Sequence, residues 1–142
     1  MLLEPDRVFS IASGLALLGW IALAASPASA RWAPLARRLA GRWLPLALAV
    51  LYAAMLATHW RGEGGFGSLA EVQALFAVPG ALVAGWVHYL AFDLFVGAWI
   101  AARAAETRLH HAALLPVLLL TFMLGPVGWL AFVLIRPKAS LA

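Results

Sequence analysis

The sequence has no cysteine and only 11% charged residues. The missing cysteines exclude disulfide frameworks, zinc–thiolate sites, iron–sulfur clusters and cysteine nucleophiles. Lysine is nearly absent as well. Lys138, close to the C-terminal end, is the single one, and with no lysine inside an apolar run a retinal Schiff base is excluded. The shortage of charge excludes an ordinary soluble domain, in which about 25% of residues are charged and about 45–50% apolar. Here 65% are hydrophobic and the mean hydropathy is +0.93. Such a surface would not stay dispersed in water, and the same numbers exclude intrinsic disorder.

What is present is a chain of 142 residues with four apolar stretches, at about 8–26, 43–60, 79–102 and 112–135. A helix needs roughly 20 apolar residues to cross about 30 Å of hydrocarbon. In lipid each span must satisfy its own backbone hydrogen bonds, so the stretches read as helices, and the alternation of a β-barrel is missing. The expected fold is all-α: a four-transmembrane-helix bundle, multi-pass, as one membrane domain over 1–142. Ala28-Ser29-Ala30 resembles a signal cleavage site, but Glu4 and Asp6 precede the run where a leader would be basic. The first stretch is therefore read as an uncleaved span.

The connections carry their own signals. Arg31 to Arg42 reads as a basic connector, and Arg61 to Val78 as the longest one, opening on glycines. Ser68 with Glu71 three residues on matches a capping box for a short amphipathic helix at about 68–77. Pro79 suits the first turn of the third span. Gly125-Pro126 should kink the fourth, since proline removes a backbone bond, and Pro137 should stop it. Gly80, Gly85 and Gly97 read as positions of close helix approach.

The net charge of +4 comes almost wholly from arginines set between the apolar runs, a pattern of membrane-flanking loops and not of a nucleic-acid-binding face. Arg31, Arg37, Arg38, Arg42, Arg103 and Arg108 occupy the first and third loops, against Arg7, Arg61, Arg136 and Lys138 on the other side. That balance favours cytoplasmic first and third loops.

Asp93 is the residue that asks most for an explanation. A carboxylate at the bilayer centre costs at least about 2.5–3.5 kcal/mol on insertion scales, so it should face the bundle interior or a wet cavity. The helical period sets Trp86, Tyr89, Asp93, Val96 and Ile100 along one stripe, and His88, Phe92, Phe95 and Trp99 along another. His88 and Asp93 are about 140° apart around the helix, so they form no direct pair, although they can flank one cavity. For Asp93 the plain role is a hydrogen-bond clamp between helices. For His88 it is packing, for Glu71 capping, and for the aromatic residues interfacial anchoring. A bis-histidine haem is disfavoured because His59 and His88 lie about 13 Å apart in depth. No metal or nucleotide motif has usable spacing.

The run from Gly85 to Ile100, with its His88-x4-Asp93-Leu94-Phe95-Val96-Gly97 core, resembles the family named after the plant abscisic-acid-deficient-four protein. The likeness extends to Glu71, Leu75-Phe76 and Gly125-Pro126-Val127-Gly128, and so covers nearly the whole chain. It implies a multi-pass membrane protein of carotenoid or isoprenoid metabolism. Plant members are needed to form neoxanthin from violaxanthin, an isomerisation that opens an epoxide and creates an allene. That chemistry asks for an acid at the epoxide oxygen and a base at a polyene carbon. Asp93, His88 and Glu71 are the residues here that can supply them, with Trp86, Tyr89, Phe92 and Trp99 as substrate contacts. The family pattern has an arginine after the Val-Gly pair, where this chain has Ala98. No cofactor is implied beyond a bound carotenoid or lipid. The alternative is a non-catalytic carotenoid- or lipid-binding subunit of a membrane complex, and the expected partners are the lipid bilayer, a carotenoid or isoprenoid ligand, and a membrane-complex partner or a second copy in a homo-oligomer. The Ala/Arg-rich composition points to a bacterial inner membrane.

Overall fold

The computed structural model describes residues 3–60, 62 and 64–136. Arg61 and Lys138, counted in the charge balance, and Pro137, expected to end the last helix, lie outside them.

Every regular element among the described residues is helical. Helix α1 spans Pro5–Ala24, opened by a proline in its first turn and by Asp6, whose charge suits the helix N-terminus. Helix α2 (Ala33–Arg38) runs through a π turn at Leu39–Trp43 straight into α3 (Leu44–His59). Helix α4 is Leu69–Ala77, α5 Pro79–Glu106, α6 His111–Leu124 and α7 Pro126–Ile135. Three helical rods are long and apolar enough to cross a membrane: Pro5–Ala24, the continuous Ala33–His59, and Pro79–Glu106.

The expected helix limits shift for identifiable reasons. The stretch Arg31 to Arg42 is mostly helix and not a connector. The helical backbone does not stop where the apolar run stops, and Arg37, Arg38 and Arg42 can carry their charges outward on long stems. The third span continues to Glu106, and Arg103 and Glu106, three apart, form an exposed ion pair of 2.7 Å along its last turn. In place of a single kinked helix at 112–135 there are two shorter helices with Gly125 between them.

Helix α5 is the axis of the molecule. It packs against α1, α3, α4, α6 and α7, and the π turn lies on it as well. Its buried face is largely small or branched, with Ala84, Val87, Ala91, Leu94, Ala98 and Ala101 among the members. Helix α1 offers Val8, Ala12, Ala16, Gly19 and Leu23 at helical spacing. Small side chains let these helices approach closely, which matters where burying apolar surface against lipid-like surroundings brings little gain. Gly80, Gly85 and Gly97 have a different job from the one expected. Each leaves room for a ring, respectively of His59, Phe76 and Trp20, and not for a neighbouring backbone.

The outer surface suits a lipid environment. Ile11, Leu18, Ile21, Val50, Leu119 and Leu134 are all more than half exposed along the rods.

Candidate functional site

Asp93 lies at the midpoint of α5, about 20 Å along the helix from either end. Its carboxyl is held against the junction of α6 and α7. A methyl group placed on Gly125 would stand 2.6 Å from Asp93 Oδ1 and 3.1 Å from Oδ2. Gly125 is buried and adopts φ +40°, ψ −93°, a backbone conformation that a side-chain-bearing residue resists. The chain needs that conformation to end α6 and restart at once with Pro126.

The junction frees backbone groups for other partners. In an unbroken helix the carbonyl of Phe122 would accept from the N–H of residue 126, which proline lacks. The Tyr89 hydroxyl sits 3.4 Å from that carbonyl and 3.3 Å from the carbonyl of Met123, both long hydrogen bonds. Tyr89 is one turn from Asp93 on α5, and its hydroxyl lies beside the carboxyl. Asp93 Oδ2 is buried and has no hydrogen-bond partner among the described residues. An unsatisfied buried carboxyl oxygen is expensive to keep and is uncommon outside functional places.

A shelf of rings leads up to the carboxyl. Trp86 stacks on Tyr89 with centroids 5.4 Å apart at 25°, and Phe9 of α1 lies 5.5 Å from Trp86. The indole N–H of Trp86 donates to Ser13 Oγ at 3.0 Å, so α1 fixes the ring and its polar edge is satisfied. The assembly offers an acid-capable carboxyl, a phenol and two carbonyls in apolar surroundings, a set able to give and take a proton.

The other sequence-predicted residues fall elsewhere. His88 faces α3, edge-on to Tyr52 at 5.3 Å and stacked on Phe92 at 4.7 Å. It borders a cavity of about 220 Å3 closed by Leu56, Phe66 and Phe76. Phe92 borders a second cleft of about 560 Å3 between α3 and α5, with Pro45, Ala49 and Phe95. Glu71 is exposed, and its Oε2 accepts from Gly67 N–H at 2.9 Å, while Glu71 N–H donates to Ser68 Oγ at 3.2 Å. Those contacts order the loop before α4. Trp99 lies edge-on to Phe132 of α7, with Arg103 above it. The structure thus brings together Trp86, Tyr89 and Asp93, and separately His88 and Phe92, and it joins Glu71 and Trp99 to neither group. His88 faces the α3 side of α5 and Asp93 the α6–α7 side.

Ala98 is 4% exposed. It is pressed against the π turn, where a methyl on Gly41 would stand 2.9 Å from its Cβ. Arg103 is engaged with Glu106 at the end of α5, so it does not stand in as a cation beside Asp93. Sequence reasoning missed Ser13, Phe9 and the two carbonyls of α6. The carbonyl of Phe122 had a readable signal, because Pro126 follows it by four residues.

Comparisons with curated proteins and with solved structures return no match. A family model described as ABA DEFICIENT 4-like matches residues 7–132, which takes in α1 from Arg7 onward, all of α2 to α6, the Asp93 stripe and the junction at Gly125. By that match over nearly the whole length, the chain belongs to the ABA DEFICIENT 4-like family.

Proposed function

We propose that this is a membrane enzyme of carotenoid or isoprenoid metabolism that isomerises its substrate by acid–base chemistry at Asp93. One observation carries the reading: a carboxyl at mid-helix, one oxygen buried and unpartnered, set against the broken helix pair. Family membership supports the substrate class through the family's link by name to abscisic acid. The substrate lies along the Phe9–Trp86–Tyr89 shelf with its oxygen function toward Asp93. Asp93 in its acid form protonates an epoxide oxygen as a carbon–oxygen bond breaks. The carboxylate left behind takes a proton from the neighbouring polyene carbon, whose electrons move into the new double bond. No atom is gained or lost, and the carboxyl ends as it began. Tyr89 orients the group, anchored by the Phe122 carbonyl that Pro126 leaves without a helical partner and by the carbonyl of Met123.

In this reading the chain makes four crossings of a bacterial inner membrane as one domain, with α6 and α7 together forming the fourth. A second reading rests on the two cavities between α3 and α5. They lie along the Ala33–His59 rod from Gly41 to Leu56, about 22 Å at 1.5 Å per residue. A polyene held there, against His88, Phe92 and Phe95, would make the protein a carotenoid-binding subunit without turnover.

The visible spectrum and the reaction products test both. Purified from carotenoid-producing cells, the protein is expected to carry polyene absorption bands, and supplied with an epoxy-carotenoid it is expected to yield an isomer of unchanged mass. Bound pigment with no isomer formed supports the second reading. A colourless protein that leaves every carotenoid unchanged rejects both.

A further inference from the structure

The end of the molecule formed by the α1–α2 and α5–α6 connections holds a cavity of about 430 Å3. It is lined by Ser29, Arg37, Arg108, His110 and His111 over a floor that includes Ala104. Neither Arg37 nor Arg108 forms an ion pair among the described residues, whereas Arg7 and Arg103 do so with Glu4 and Glu106. The whole end is strongly basic. Arg31, Arg37, Arg38, Arg103 and Arg108 lie there with Glu106 as the single carboxylate among the described residues, while at the opposite end the described Glu4, Asp6 and Glu71 offset Arg7 and Arg136.

Two features show that the cavity is shaped. Arg108 has φ +53°, the single positive φ outside glycine among the described residues. A long side chain in that conformation is rare and costs energy that a glycine would avoid. His111 Nε2 bonds to the carbonyl of Ala24 at 2.9 Å and ties the start of α6 to the end of α1 across the cavity. His110 caps α6 with its own ring, accepting from Ala112 N–H at 3.3 Å, and its carbonyl accepts from Ala113 and Leu114, so most first-turn donors there are already used. Recognition is therefore left to the two guanidinium groups and the rim. Arginine's planar fork matches phosphate oxygens, and basic pockets between helices at the membrane surface suit anionic headgroups.

We infer that this cavity is a binding site for a phosphate group, held between Arg37 and Arg108 at the membrane surface. The group can belong to an anionic phospholipid headgroup or to a free phosphate or diphosphate. The site is separate from Asp93 and does not depend on the reaction proposed there.

Native mass spectrometry of the full chain in neutral detergent, with added phosphatidylglycerol or phosphatidylcholine, tests it. The wild-type chain is expected to retain one phosphatidylglycerol at about tenfold preference, the size of one lost charge-assisted contact. The R37Q/R108Q variant is expected to lose the preference. R31Q/R38Q, with the same charge removed outside the cavity, is expected to keep it. Displacement of the lipid by millimolar diphosphate assigns the site to free phosphates, and resistance to displacement assigns it to the headgroup. R108G carries the test if the double variant does not fold. Relief of the positive φ should raise its unfolding midpoint while it loses phosphatidylglycerol preference, a combination that a merely structural arginine would not give. Equal loss in R31Q/R38Q, or an unchanged preference in both R37Q/R108Q and R108G, overturns the site.

Discussion

Replacing Gly125 with alanine should reveal how closely Asp93 is built into the α6–α7 junction. Two costs arise. At φ +40°, ψ −93° an alanine Cβ crowds its own backbone, and holding a side-chain-bearing residue in so sparsely populated a conformation costs about 1–2 kcal/mol. The new methyl would also stand 2.6 Å from Asp93 Oδ1 and 3.1 Å from Oδ2, so the carboxyl must retreat by nearly an ångström. Overpacking of that kind costs about 1–3 kcal/mol. G125A should therefore lose roughly 3 kcal/mol in all. The second cost depends on the carboxyl and the first does not. In a D93A background, where the carboxyl is gone, G125A should cost about 1–2 kcal/mol, leaving a coupling of about 1–3 kcal/mol. The assay is equilibrium unfolding in mixed detergent micelles of the four proteins that make the cycle. Identical costs of G125A in the two backgrounds would falsify the placement of Asp93 against Gly125.

Two further substitutions probe the surroundings. A98R places a long side chain at a position closed by Gly41, and should destabilise the chain by at least about 1–3 kcal/mol, read as a drop in unfolding midpoint. An unchanged midpoint would mean that the π turn yields and that the position is not closed. S68A removes the side-chain cap of α4 and should cost about 1 kcal/mol locally, seen as faster hydrogen exchange of the first-turn amides of α4 with α5 unaffected. Equal protection in wild type and variant would show that the loop, and not the cap, holds α4.

Much of this was legible in the sequence because membrane insertion restricts the possibilities. Unbroken apolar length forces helix, and a lone carboxyl within such a run must find an interior place, so Asp93 could be singled out without coordinates. Ser68 and Glu71 announced a cap because their chemistry is local. The Gly125-Pro126 pair announced an interruption, although the sequence did not show that it would split one helix into two. What stayed hidden depends on tertiary contacts. The 140° between His88 and Asp93 was readable, but which helices lie opposite each of them was not, and α3 takes one side while the α6–α7 pair takes the other. The start of the second rod at Ala33 is obscured because arginines between apolar runs carry the same signal as a membrane-flanking loop. Nothing in the composition around Arg108 signals its positive φ, and nothing near His111 signals its bond to Ala24.

The most direct test of Asp93 as the reactive centre is turnover by D93N, which keeps the shape of the side chain and removes its exchangeable acid proton. Wild type and variant would be reconstituted side by side in lipid nanodiscs, supplied with epoxy-carotenoid, and the isomers separated by chromatography. The expected result is a fall in rate of about 10²–10⁴-fold with the helical content and pigment retention of the wild type. Conversion by D93N at the wild-type rate would contradict the assignment.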